Sequence, residues 1–284
     1  MSISPLQTQP HSINYSPRPV MPPEYIHFCD VCENEILPKF SITRQRWQYV
    51  KECPCYELKR RSEYRYDEWV KLSGIPDKYA YNRLSDFDTT DNPKALKEAQ
   101  YFLKNHLAYA ARPSLAGMAL WLKGDIGTGK TMLASSIAMA MLNQAKELYQ
   151  QGYIDEADRY ADIMWVNGFD LFHEAMGDTK TWIRRLERYQ HCSLLIIDEI
   201  GIEPVKAKSN FVGSYVNDII EARYNSERSL ILTSNAVPVS IPDDFNKRIF
   251  DRVSEYGHLV NLTGASKRKP KYDPLDFSGM DTIS

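Results

Sequence analysis

Five short apolar runs, at about 118–123, 163–167, 193–198, 229–234 and 258–263, have the length of strands and alternate with helix-like segments. Strands separated by helical stretches predict a parallel sheet covered on both faces, and so an α/β fold. Ahead of the first strand, Leu96, Ala99, Phe102, Leu103 and Leu107 recur at helical spacing. They predict a helix from Pro93 to about Ala111, with Pro93 suited to its first turn. The apolar runs, such as 119–123 and 194–197, fall far short of the roughly 18–20 residues that span a bilayer, so no membrane contact is expected.

The pattern divides the chain. A leader at 1–23 is rich in Pro, Ser and Gln and has no basic segment followed by an apolar one, so it does not read as a signal peptide. A cytoplasmic protein with a flexible leader is the expectation. Residues 24–72 gather cysteines, Lys, Arg and aromatics into a small module. A connector at 73–92 is punctuated by Gly74 and Pro76; the α/β domain is expected at 93–272 and a frayed tail at 273–284. A length of 284 residues accommodates one such core plus a small module. The net charge of −2 and the hydrophobic fraction of 43% exclude global disorder and a basic coat, so any nucleic-acid contact must be a local patch.

The first strand runs into "GDIGTGKT", which is Gly124, Asp125, Ile126, Gly127, Thr128, Gly129, Lys130 and Thr131. A strand ending in this pattern and a helix beginning at it form a phosphate-binding loop. Its glycines let successive N–H groups turn toward phosphates, and the helix N-terminus adds a favourable dipole. Lys130 is expected on the β/γ phosphates and the Thr131 hydroxyl on Mg²⁺. "SLLIIDEIG" then presents Asp198 and Glu199 at the carboxyl end of an apolar strand, where ligands bind in such sheets. Asp198 is expected to hold Mg²⁺, and Glu199 to polarise the attacking water. "SLILTSNAVP" ends a further strand in Thr233, Ser234 and Asn235, whose amide suits orienting that water. "NKRI" at 246–249 lacks the aspartate of a guanine-reading motif, which favours ATP.

The ordered set GDIGTGKT, LLIIDEIG, ILTSN and "RIFDRVSEYGHLVNLTGASKR" resembles the AAA+ ATPases of the bacterial replicative helicase loader group, DnaC and DnaI, and the related IstB transposition helpers. The connector "SGIPDKYAYNRLSDFD" is similar to the segment preceding the core in that group. The resemblance covers about 73–268 and implies an AAA+ P-loop core with little or no C-terminal lid. It implies that Asn235 is a sensor of the nucleotide-side water and that Arg268 is a second sensor on the γ-phosphate. Arg252 is implied as an arginine finger inserted into a neighbouring subunit's site, with Arg248, one turn earlier, as its rival. Hydrolysis would then depend on self-assembly into a ring or spiral. The basic helix around Trp182, Arg184, Arg185 and Arg188 resembles an initiator-type insertion that tracks single-stranded DNA, arginines on phosphates and the aromatic on a base. The alternative is an ordinary solvated amphipathic helix.

Cys29, Cys32, Cys53 and Cys55 form two sulfur pairs separated by twenty residues. In a reducing compartment four thiolates can close a tetrahedral Zn²⁺ site; redox-active thiols or unrelated cysteines are the alternatives. Lys39, Arg44, Arg46 and Lys51 alternate there with Phe40, Trp47 and Tyr49, a surface suited to single-stranded DNA or to a protein. A module this small needs the metal for its folding free energy. Cys192, before an apolar strand, reads as core. The expected function is an ATP-dependent loader of the replicative DNA helicase. The alternatives are an IstB-like helper of transposition and a non-hydrolysing DNA-binding adaptor.

Overall fold

A computed structural model of the chain describes residues 27–28, 35–41, 44, 46–48, 54–112, 114–200, 209–235 and 243–268. The chain separates into two compact units, 1–60 and 61–284. In the first, β1 (His27–Phe28) pairs antiparallel with β2 (Glu35–Ile36), and β3 (Lys39–Ser41) with β4 (Arg46–Gln48). Cys29, Cys32 and Cys53, and with them the expected zinc site, lie outside the described residues. Cys55 is half-buried in the first turn of α1 (Pro54–Ser73).

The second unit runs α2 (Pro93–Ala111), β5 (Ala119–Gly124), α3 (Lys130–Gln150), α4 (Ile154–Tyr160), β6 (Ile163–Asn167), α5 (Gly168–Ala175), α6 (Thr179–His191), β7 (Leu194–Ile200), α7 (Ser209–Asn225), β8 (Ser229–Ser234), α8 (Asp243–Tyr256) and β9 (Gly257–Leu262). Its five strands form a parallel sheet in the order β6-β7-β8-β5-β9. Alternate side chains of a strand face opposite ways, and both ways are covered. Leu120 and Leu122 pack with Phe102, Leu133 and Ile137 of α2 and α3. Ala119 and Trp121 pack on the other face with Val216 and Ile219 of α7. Burial on two faces is why the strands read as continuous apolar runs rather than alternating ones. The expected α/β architecture and all five strands are present, each within two residues of its expected bounds.

The front part packs more closely with the sheet than the expected division suggests. The larger unit begins at Arg61, about two turns into α1. Residues 73–92 are no loose connector, because Ile75 and Phe87 are buried in the same cluster as Leu120. Trp69 of α1 joins them, and its indole N–H donates to Asp158 at 3.3 Å. Arg65, one turn earlier, donates to the same Asp158 oxygen at 2.8 Å and to Glu68 at 2.7 Å. These contacts fasten the second half of α1 to α4, a partnership between segments some ninety residues apart that local composition does not reveal. Among the described residues, no helix is long and apolar enough to cross a membrane.

Candidate nucleotide site

The carboxyl ends of β5, β7 and β8, adjacent in the sheet, bring the polar motifs together. β5 ends at Gly124 and the loop turns into α3, whose first residue is Lys130. The turn needs left-handed backbone at Gly129 (φ 98°), where a Cβ would also come within 3.1 Å of the Phe87 ring. Lys130 is only 6% exposed, and its ammonium donates to the carbonyls of Gly124 at 2.7 Å and Asp125 at 2.8 Å. Burial lowers its pKa, opposed by the nearby carboxylates of Asp198, Glu199 and Asp125. A phosphate oxygen is a stronger acceptor than a carbonyl and can take over these donors.

Asp198 is buried at the end of β7, and one of its oxygens accepts from Thr233 Oγ1 at 2.6 Å and from Thr131 Oγ1 at 3.1 Å. Burial raises its pKa, and the two hydroxyl donors pull the other way. Thr233 also receives the Glu199 N–H at 2.8 Å, so one hydroxyl fixes both acidic residues. Pairing between β7 and β8 slips here: Ile197 faces Leu232 and Ile200 faces Ser234, leaving Asp198 and Glu199 in a bulge. Glu199 adopts φ 60°, a left-handed conformation uncommon for a non-glycine residue and concentrated at functional sites. Its carboxylate accepts from Asn167 Nδ2 at 3.1 Å, at the tip of the neighbouring strand β6.

Lys130, Thr131, Glu199, Asn235 and Arg268 line one cleft of about 200 Å³, together with Ile126, Gly127 and Gly129 of the loop. The donor set fits magnesium and a polyphosphate. A hydroxyl and a carboxylate already sharing a hydrogen bond are hard oxygen ligands, and beside them lie a buried ammonium and a helix N-terminus. Three further residues went unread in the sequence. Asn167 is a polar strand tip on the strand next to the acidic pair; Tyr79 and Lys267 line the cleft from the connector and from the segment after β9.

Other expected site residues lie apart from this cleft. Arg252 of α8 pairs with Glu221 of α7 at 3.1 Å. The Arg248 side chain lies outside the described residues. Trp182 requires a correction: it is 5% exposed and meets Tyr215 edge-to-face, ring centroids 5.0 Å apart, so its ring is not available for base stacking. Trp182, Leu186 and Tyr189 form the inward stripe of α6, at the helical spacing of a core face. Arg184, Arg185 and Arg188 lie on the outer face; Arg188 pairs with Asp162 at 3.0 Å and Arg185 with Glu174 at 4.0 Å. Cys192 is fully buried, as expected of a core residue.

The family model described as IstB-like ATP binding protein matches residues 56–273. The chain belongs to the IstB-like ATP-binding family. Among curated relatives of this IstB-like chain, a Bacillus thuringiensis subsp. berliner protein named for insertion sequence IS232 and for ATP binding is 27% identical over 224 residues. That alignment covers 75% of this chain and 77% of the relative. The chromosomal replication initiator protein DnaA of Lactobacillus helveticus (strain DPC 4571) is 27% identical over 236 residues, 81% of this chain. The IstB-like chain spans about half of that DnaA, 46% of its length. Among solved structures, a crystal structure of DnaI matches with a TM-score of 0.48 at 19% identity, over 69% of this chain and 95% of that one. ATP binding by the IstB-like chain thus rests on its family, and the cleft at the carboxyl ends of β5, β7 and β8 is where its phosphate-binding motif lies.

Proposed function

We propose that the chain is an ATP-hydrolysing AAA+ switch that loads the replicative DNA helicase onto single-stranded DNA. The observation that carries this reading is the convergence of Lys130, Thr131, Glu199, Asn235 and Arg268 on one cleft, with Asp198 bonded to Thr131 at its floor. Loop N–H groups and Lys130 hold the phosphates. Thr131 and Asp198 hold Mg²⁺, which when bound neutralises charge on the phosphates. Glu199 draws the proton of the attacking water, and its held conformation places the carboxylate at the cleft without reorganisation. Asn235 orients that water, and Arg268 meets the γ-phosphate. Arg252 leaves Glu221 on assembly and enters the neighbouring subunit's cleft, which ties turnover to the oligomer.

In this reading the cysteine-bearing segment, clipped by zinc, is the module that addresses the helicase, and Arg184, Arg185 and Arg188 offer the DNA phosphates a basic helix face. A second reading, an ATPase helper of transposition, is favoured by the length over which the insertion-sequence relative matches. The two part on a reconstituted assay with the purified full chain. Loading predicts ATP-dependent placement of the hexameric helicase on circular single-stranded DNA, read as unwinding of an annealed oligonucleotide and lost in Arg252→Ala. No stimulation of the helicase, with duplex-DNA binding and stimulation of a transposase's strand transfer instead, establishes the second reading and removes the first.

A further inference from the structure

The six residues that follow β9 form a strap between the phosphate-binding loop and the segment ahead of α2. At its start, Thr263 is held on both main-chain groups by one side chain: its N–H donates to Asn92 Oδ1 at 2.8 Å, and Asn92 Nδ2 donates to its carbonyl at 2.8 Å. Asn92 is itself buried. At the far end, the Lys267 N–H donates to the Gly127 carbonyl at 2.9 Å, at the tip of the loop. The approach is close enough that a Cβ on Gly127 (φ 84°) would fall 2.1 Å from Ser266 Oγ. Between these ends, the Lys267 ammonium bridges Asp88 at 2.6 Å and Asp91 at 2.9 Å. Thr90 donates its N–H and its hydroxyl to Asp88, so the carboxylate is fixed before the lysine reaches it. Arg268 is the next residue, and its side chain lines the cleft.

We infer that Lys267, gripped by Asp88 and Asp91, is a positioning residue that sets the reach of Arg268 toward the terminal phosphate and makes the cleft discriminate ATP from ADP. The inference rests on the reading of Arg268 as a γ-phosphate contact. Lys267 borders the cleft, but its ammonium is held by Asp88 and Asp91 and acts through Arg268 rather than on the nucleotide. Their work is to remove freedom from a strap that has no helical lid to brace it among the described residues. Exposed ion pairs of this kind add little to global stability, so a merely structural role leaves nucleotide preference unmoved. A positioning role moves preference and leaves stability nearly unchanged, because displacing a binding group by a fraction of its reach is enough to lose its contact.

The test compares ATP and ADP affinities of the full chain by titration with fluorescent nucleotide analogues and competition. Lys267→Met and the double change Asp88→Asn/Asp91→Asn should each lower the preference for ATP over ADP by about tenfold, with ADP affinity nearly constant. Lys267→Arg, which keeps the charge and can grip both carboxylates, should restore it. Combining Lys267→Met with Arg268→Ala should be no worse than Arg268→Ala alone, since the two changes remove one contact. Wild-type preference in Lys267→Met beside a loss in Arg268→Ala overturns the positioning role alone. Wild-type preference in Arg268→Ala overturns the γ-phosphate reading of Arg268 and this inference with it.

Discussion

Lys130 and Arg223 are both buried cations whose hydrogen bonds go mainly to main-chain carbonyls, yet they stand at opposite ends of the sheet, one beside a cleft and one enclosed. Lys130 borders a cleft, and its two acceptors belong to a glycine-rich loop at the carboxyl end of β5. Arg223 of α7 is 0% exposed. Its guanidinium donates to the carbonyls of Tyr189 at 2.7 Å, Cys192 at 3.0 Å, Ser193 at 3.2 Å and Ser229, tying the end of α6 to the starts of β7 and β8. Carbonyl dipoles stabilise a cation in both places. Where an anion can enter, we propose that the carbonyls act as placeholders for it and that the cation is a binding group. Where nothing can enter, the same chemistry makes a rivet.

As a rivet, Arg223 must be indispensable to stability. Arg223→Met removes the donors of several buried carbonyls at once and should lower stability by about 3–5 kcal/mol, measured by urea unfolding. A loss below about 1 kcal/mol would mean that water replaces the guanidinium and that the site is no rivet. Lys130→Ala should show the reverse pattern. ATP affinity should fall about 100-fold or more, while unfolding free energy stays within about 1 kcal/mol of the parent, since water in the cleft can satisfy the two loop carbonyls. Retained ATP affinity would remove Lys130 from phosphate binding.

A third buried base gives a smaller, pH-dependent effect. His106 of α2 is 0% exposed, lies beside the rings of Phe102 and Tyr109, and has a partner for neither ring nitrogen among the described residues. Burial first, and the field of Arg223 second, hold its pKa down at about 3, against 6.5 for an ordinary histidine. The unfolded chain therefore binds a proton below pH 6.5 that the folded chain refuses. Stability is fully present above that pH and falls by about 1.4 kcal/mol for each unit down toward pH 3. Urea midpoints of His106→Leu should depend less on pH than those of the parent between pH 6.5 and 5. Equal slopes would show that the ring finds a proton acceptor in the folded state.

The sheet and the phosphate-binding loop were legible because each is encoded locally, as a run of apolar residues or a motif of eight. Asp198 and Glu199 were legible as the polar end of an apolar strand. What was not legible depends on pairing at a distance. The bulge that turns Glu199 exists only against β8, and Asn167 meets it only because β6 lies beside β7. The resemblance to an initiator-type insertion puts Trp182 on a nucleic-acid surface, whereas its spacing to Leu186 and Tyr189 is that of an amphipathic helix face turned to the core. Arg223 sits in "EARYN", which has the composition of an exposed helix end. Only the closeness of three main-chain segments makes it interior.

We propose that Glu199, held at the cleft by Thr233 and Asn167, acts on water rather than on nucleotide binding. Its most direct test is Glu199→Gln in the assembled protein, with ATP affinity and steady-state phosphate release measured on the same preparation. Affinity within about twofold of the parent and turnover lower by at least about 100-fold are expected. Turnover equal to the parent's, or loss of ATP binding in step with turnover, would contradict it.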